Sequence, residues 1–89
     1  MYFVAEVSIC PMDGSDSLPL IIKCLDVFDD MKIVYKVHAM GTNLEGSHSD
    51  ILKAVQKCIE AVDCKKYTLN VVISCQESED SISHRLLKL

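Results

Sequence analysis

Apolar side chains in this chain recur first at every second residue, then at every third or fourth, and then at every second again. That alternation leaves few folds open. Residues 2–10 place Phe3, Ala5, Val7 and Ile9 on one side and Val4, Glu6 and Ser8 on the other, the pattern of a strand with one apolar face. Pro11, which cannot donate to a ladder, and the polar run at 13–17 end it. Ser17 then offers an N-cap and Pro19 suits a first helical turn. Leu18, Ile21, Cys24, Leu25 and Phe28 follow at helical steps, so a helix is predicted to about residue 30. Its charged residues Lys23, Asp26 and Asp29 lie off that stripe, on the wet side.

Residues 33–40 alternate again, with Ile33, Tyr35, Val37 and Ala39 against Val34, Lys36, His38 and Met40. Gly41 permits a bend, and residues 42–45 suit a third strand paired with the second as a hairpin. Gly46 and a Ser-His-Ser-Asp cap region open a second helix near Ser49, with Ile51, Leu52, Val55, Cys58, Ile59 and Val62 as its apolar stripe. In the last strand, at 67–75, Tyr67, Leu69, Val71 and Ile73 alternate with Thr68, Asn70, Val72 and Ser74. Ile82, Leu86 and Leu87 predict a short C-terminal helix that needs tertiary packing to persist.

The order β-α-β-β-α-β predicts an α+β, ferredoxin-like fold: a four-stranded antiparallel sheet with two helices on one face. With 89 residues the chain has room for one domain, 1–89. A domain of this size removes only about 60 to 65% of its extended-chain surface from water, so a deep, self-contained catalytic cavity is not expected. The sheet face away from the helices mixes Val4, Val34 and Val72 with Glu6, Ser8, Lys36, His38, Asn70 and Ser74. A half-apolar open face of this kind predicts self-association as a homodimer or homotetramer, against the simpler reading of a wet face with tolerated valines.

A net charge of −4 works against the counterion release that drives nucleic-acid binding, so no nucleic-acid partner is expected. No apolar run approaches the ~20 residues of a membrane span, and the first residues lack the basic and small-residue features of a secretory leader. A cytoplasmic protein without a membrane partner is therefore expected. Five scattered cysteines without a CxxC pair suggest reduced, mostly buried thiols in place of a disulfide framework or zinc site. His38, His48 and His84 lack ligand spacing and read as surface or interface residues, so no metal is expected. Phosphate-loop, dinucleotide, hydrolase-elbow and zincin signatures are all absent from the sequence. A small phosphatase of this topology would want an arginine in a phosphate-cradling loop, whereas the only arginine is Arg85 in the tail. No enzymatic activity and no cofactor are expected.

The most informative segment is 38–46, reading H-A-M-G-T-N-L-E-G. Glu45 could accept a hydrogen bond from an amino group, and Thr42 and Asn43 could read heteroatoms of a flat ring if a pocket desolvates them. An ordinary capped hairpin, with Thr42 as a strand residue and Glu45 supporting the helix N-terminus, accounts for the same residues. The residues alone leave both readings open.

Ile9-Cys10-Pro11 closing a strand, the 41–46 segment G-T-N-L-E-G opening a helix, and the tail S-I-S-H-R-L at 81–86 together resemble the single-domain YkoF-like thiamine-binding family. The likeness spans nearly the whole chain, and its distinctive element is T-x-x-E-G. The resemblance implies a ferredoxin-like fold, dimers or tetramers formed through the sheets, and non-catalytic binding of thiamine or its hydroxymethylpyrimidine moiety as a carrier, buffer or sensor. It carries over Thr42 and Glu45 as ligand-binding residues, with Asn43 and Ser8 as weaker candidates. An aminopyrimidine offers an exocyclic amino donor beside ring acceptors, which a carboxylate and a hydroxyl or amide can match. The chain departs from the family at His48, where an aromatic is frequent, and at 76–80, where an Arg and Asp are frequent. The rival to ligand binding is a structural or protein-interaction module that oligomerises through its open sheet face.

Overall fold

The computed structural model describes residues 2–76. The short C-terminal helix expected around Ile82, Leu86 and Leu87 lies outside them. The elements are β1 (Tyr2–Pro11), α1 (Leu18–Met31), β2 (Val34–His38), β3 (Gly41–Gly46), α2 (His48–Ala61) and β4 (Tyr67–Gln76). The strands form one antiparallel sheet in the order β2-β3-β1-β4, the ferredoxin-like βαββαβ arrangement that the hydrophobic periodicity predicts.

Register sorts the side chains by face. Val7 is opposite Thr42 and Val71, and Ala5 is opposite Leu44 and Ile73, so these residues share the helix-covered side. Ala5, Val7 and Leu44 pack there with Cys24 and Phe28 of α1 and with Ile51, Ala54 and Cys58 of α2 to form the core. Val4, Glu6, Ser8, Asn43, Glu45, Val34, Lys36, His38, Asn70, Val72 and Ser74 take the open side. Val4 is nevertheless buried, because it sits on a central strand flanked by Glu45 and Ser74.

Several local expectations shift. β2 starts at Val34 because the Ile33 N–H bonds the Phe28 carbonyl after a left-handed Lys32 turns the chain off α1. It stops at His38 because Ala39 and Met40 form the hairpin turn. The inner row of α1 is Leu20, Cys24 and Phe28, at strict four-residue steps, which leaves Leu18 exposed. On α2, Ala54 lies inside with Ile51 and Cys58 while Leu52 and Ile59 face out; the small alanine lets that helix approach the sheet. None of the five cysteines is in a disulfide, but only Cys24 and Cys58 are buried, so the expectation of mostly buried thiols is corrected.

The helix starts differ in chemistry. At α2, Ser47 is the N-cap and its hydroxyl accepts from the Asp50 N–H at 3.2 Å, with the Asp50 carboxylate also favourable to the helix dipole. Ser47→Ala is expected to lower stability by about 1 kcal/mol in urea unfolding with the slope unchanged. At α1, Ser17 occupies the N-cap position without capping, and the Asp16 carboxylate accepts the Leu18 N–H at 3.1 Å instead.

Candidate functional site

β1 is longer than its neighbour β3 at one end. It pairs with β4 from Tyr2 to Pro11 but with β3 only from Phe3 to Val7. Beyond Val7 the sheet therefore has a notch, bounded by β1, the β2–β3 turn and α1. A cleft of about 240 Å³ occupies this place, lined by Val7, Ser8, Ile9, Ser17, Ile21, Cys24, Phe28 and residues 38–42.

Its polar groups come from separate elements. Thr42, on the helix-covered side of β3, is the one buried polar residue among those described, at 7% exposure. Its hydroxyl is not tied to another described residue and opens on the cleft. Ser17 keeps its hydroxyl available because Asp16 has taken over the helix cap. The Met40 N–H donates to His38 Nδ1 at 3.2 Å, so that nitrogen is the acceptor. The opposite nitrogen Nε2 then carries the proton and donates to Asn43 Oδ1 at 3.1 Å. This pair of bonds holds the imidazole and the turn together.

The cleft floor is Phe28, which is fully buried and lies 5.8 Å from the Tyr35 ring, and Cys24. Cys24 and Cys58 are buried in the same core cluster, and the interaction between their thiols draws Cys24 below the ordinary thiol range and, together with burial, pushes Cys58 up. Two other groups titrate abnormally, both outside the cleft. Hydrogen bonds from Ser15 hold the Asp13 carboxyl below the usual range, and the Tyr35 hydroxyl donates to Asp29 at 2.7 Å, which raises its phenol.

The four sequence-derived site residues do not converge. Side chains three apart on a strand face opposite sides, so Thr42 looks toward the helices and Glu45 toward the open face. Ser8 borders the cleft beside Gly41. Asn43 is on the open face and reaches the cleft only by anchoring His38. Glu45 accepts from the Tyr2 hydroxyl at 2.9 Å and, with Asn43, Val34, Tyr35 and Lys36, lines a second hollow of about 220 Å³. His48 is far from the notch, its ring meeting Phe3 edge-on at 5.6 Å where β3 ends. Among the described residues no cluster of three His, Cys, Asp or Glu side chains could hold a metal ion.

Sequence reasoning missed Ser17, Cys24, Phe28 and His38 as cleft residues. It read Ser17 as a cap, Cys24 and Phe28 as core, and His38 as a surface or interface residue at the start of the 38–46 segment. The one signal that could have released Ser17 is the neighbouring Asp16, an equally good N-terminal acceptor.

The family model described as thiamine-binding protein matches residues 5–88. A UPF0045 protein of Methanocaldococcus jannaschii is 32% identical over 88 residues, covering 96% of this chain and 88% of that protein. The crystal structure of that archaeal protein superposes with a TM-score of 0.81 at 31% identity, over 98% of this chain and 94% of the other. A Thermotoga maritima structure described as a candidate thiamine biosynthesis/salvage protein superposes with a TM-score of 0.78, over 96% of this chain and 99% of the other. At 16% identity this last likeness carries the fold alone.

Proposed function

Because the chain belongs to the thiamine-binding protein family, we propose that it binds the aminopyrimidine of thiamine, or free hydroxymethylpyrimidine, in the notch beside Gly41, as a carrier, buffer or sensor and not as an enzyme. The observation that carries this reading is the untied hydroxyl of Thr42, a residue 7% exposed, on the wall of a cleft floored by Phe28. With no partner among the described residues and a place on the cleft wall, that hydroxyl is reachable by a ligand and free to pair with it.

Size favours one ring. At about 240 Å³ the cleft is below the roughly 300 Å³ at which drug-sized pockets begin, so a pyrimidine fits and a thiazolium would project outward. Outside, the cation meets a protein of net charge −4, whose field favours it. Binding without turnover is supported by the state of the two reactive side chains in the cleft. Cys24 is 4% exposed beneath the cleft, and His38 is engaged at both nitrogens by Met40 and Asn43, so the thiol is shielded from a substrate and the imidazole is not free to act as a base. Five cysteines outside any disulfide suit a reducing compartment such as the cytoplasm, and no described helix is long and apolar enough to cross a membrane.

Titration calorimetry of ligand-free protein against thiamine and hydroxymethylpyrimidine tests the proposal, and absence of heat with both at millimolar concentration rejects it. Thr42→Val, which keeps shape and loses the hydroxyl, is expected to weaken binding about tenfold with the unfolding midpoint nearly unchanged.

The open face favours a second copy of this chain as its cover. Val34 and Val72 stand 62% and 63% exposed there, and Lys36 shares the face with Glu6 and Glu45, so a twofold partner can oppose unlike charges around an apolar centre. Tyr2 steadies Glu45 for that contact. Sedimentation is expected to show a dimer or larger assembly at high micromolar concentration, and Val72→Glu to shift it to monomer. A monomeric unaltered protein would reject the idea. If the face alone is functional, as an interaction module without a ligand, mass spectrometry of natively purified protein will find no co-purifying pyrimidine and calorimetry no heat.

A further inference from the structure

The notch has a main-chain edge. In a strand the N–H and C=O of one residue point to the same side and those of the next residue to the other. The Val7 carbonyl oxygen is 2.6 Å from where a Cβ on Gly41 would stand, so the peptide groups of Val7 point toward β3. The two-residue period then aims the N–H and C=O of Ile9 the same way, past the last β1–β3 pair and into the cleft that Ile9 lines. Pro11 has the same parity, and its missing N–H costs the β1–β4 ladder nothing.

The hairpin turn does not occupy these groups. The Met40 N–H goes to His38 instead, and no turn or loop hydrogen bond among the described residues reaches Ile9. An unpaired donor and acceptor side by side on a strand edge form a template for pairing. Here the template is one residue long and enclosed by α1 and the β2–β3 turn, too short for another strand and suited to a flat ring.

We infer that the main-chain N–H and C=O of Ile9 are the edge that reads the ligand, the carbonyl accepting from an exocyclic amino group and the N–H donating to the adjacent ring nitrogen. This rests on the notch being the binding site, as proposed above, and it makes the Ile9 main chain the element that accepts an aminopyrimidine and rejects a pyrimidinone. A 4-oxo ring presents an acceptor where the amino donor was and an N–H where the ring acceptor was, so both pairs become mismatched.

The test uses the full chain, uniformly labelled with nitrogen-15, with 4-amino-5-hydroxymethyl-2-methylpyrimidine and its 4-oxo counterpart. The Ile9 amide is expected to exchange with solvent faster than that of Val7 in the free protein. Saturation with the amino compound should slow Ile9 exchange about tenfold or more and move its proton resonance downfield, while the oxo compound binds at least about tenfold more weakly by calorimetry. If the amino compound gives heat but leaves the Ile9 amide unmoved, or if the two compounds bind equally, the main-chain reading is overturned and ligand binding stands. Absence of heat with both overturns the two together.

Discussion

Gly41→Ala is expected to lower stability by about 3 kcal/mol, the combined cost of a disfavoured backbone conformation and a steric overlap that cannot be relieved cheaply. Gly41 has φ of 154°, and an added Cβ would stand 2.6 Å from the Val7 carbonyl oxygen and 3.3 Å from the Ser8 Cβ. The first of these is main chain inside the β1–β3 ladder, so relief requires β3 to move away from β1. Gly46 is the control. Its φ is 155°, nearly the same, yet nothing lies within 4 Å of its added Cβ. Gly46→Ala therefore costs only the conformational part. Urea unfolding of both variants separates the two contributions, and equal losses would show that the contact at Val7 is not as described. The same displacement would distort the notch, so any folded Gly41→Ala protein should also bind ligand poorly.

Phe28→Ala is expected to cost about 3 to 5 kcal/mol, since a fully buried ring is lost from the centre of the helix-covered face. Domains of this kind have total stabilities of about 5 to 15 kcal/mol, so the variant will be marginal at room temperature. A fall of less than about 1 kcal/mol would contradict the central position of this ring. Phe28→Leu keeps most of the apolar volume and should cost about 1 to 2 kcal/mol, which leaves a folded protein in which the aromatic floor of the cleft is gone. Its ligand affinity should fall while the amide spectrum elsewhere stays native. Equal affinity in Phe28→Leu and the unaltered protein would remove the ring from the binding account.

The elements were legible because their signals are local. A period of two or of about 3.6 is imposed by the backbone geometry of each segment, and turn residues such as Pro11 and Gly41 mark where one period stops. Even the separation of Thr42 from Glu45 follows from a spacing of three on a strand, although reading G-T-N-L-E-G as one recognition segment hid it. Helix rotation was less legible. Leu18 and Leu20 fit an apolar stripe about equally well, and only packing against Val7 and Leu44 decides that Leu20, Cys24 and Phe28 turn inward.

By itself the sequence determined the β-α-β-β-α-β order, the two faces of each strand and the family, because each depends on residues near one another or on a pattern spread along the chain. The notch was decided only by tertiary structure. It exists because β1 outruns β3 by several residues when Val7 pairs with Thr42, and a register between strands some 35 positions apart is set by the packing of the whole sheet against its helices, not by either strand's own residues. The same folding step frees Ser17, buries Thr42 and leaves the main chain of Ile9 without a strand on its β3 side.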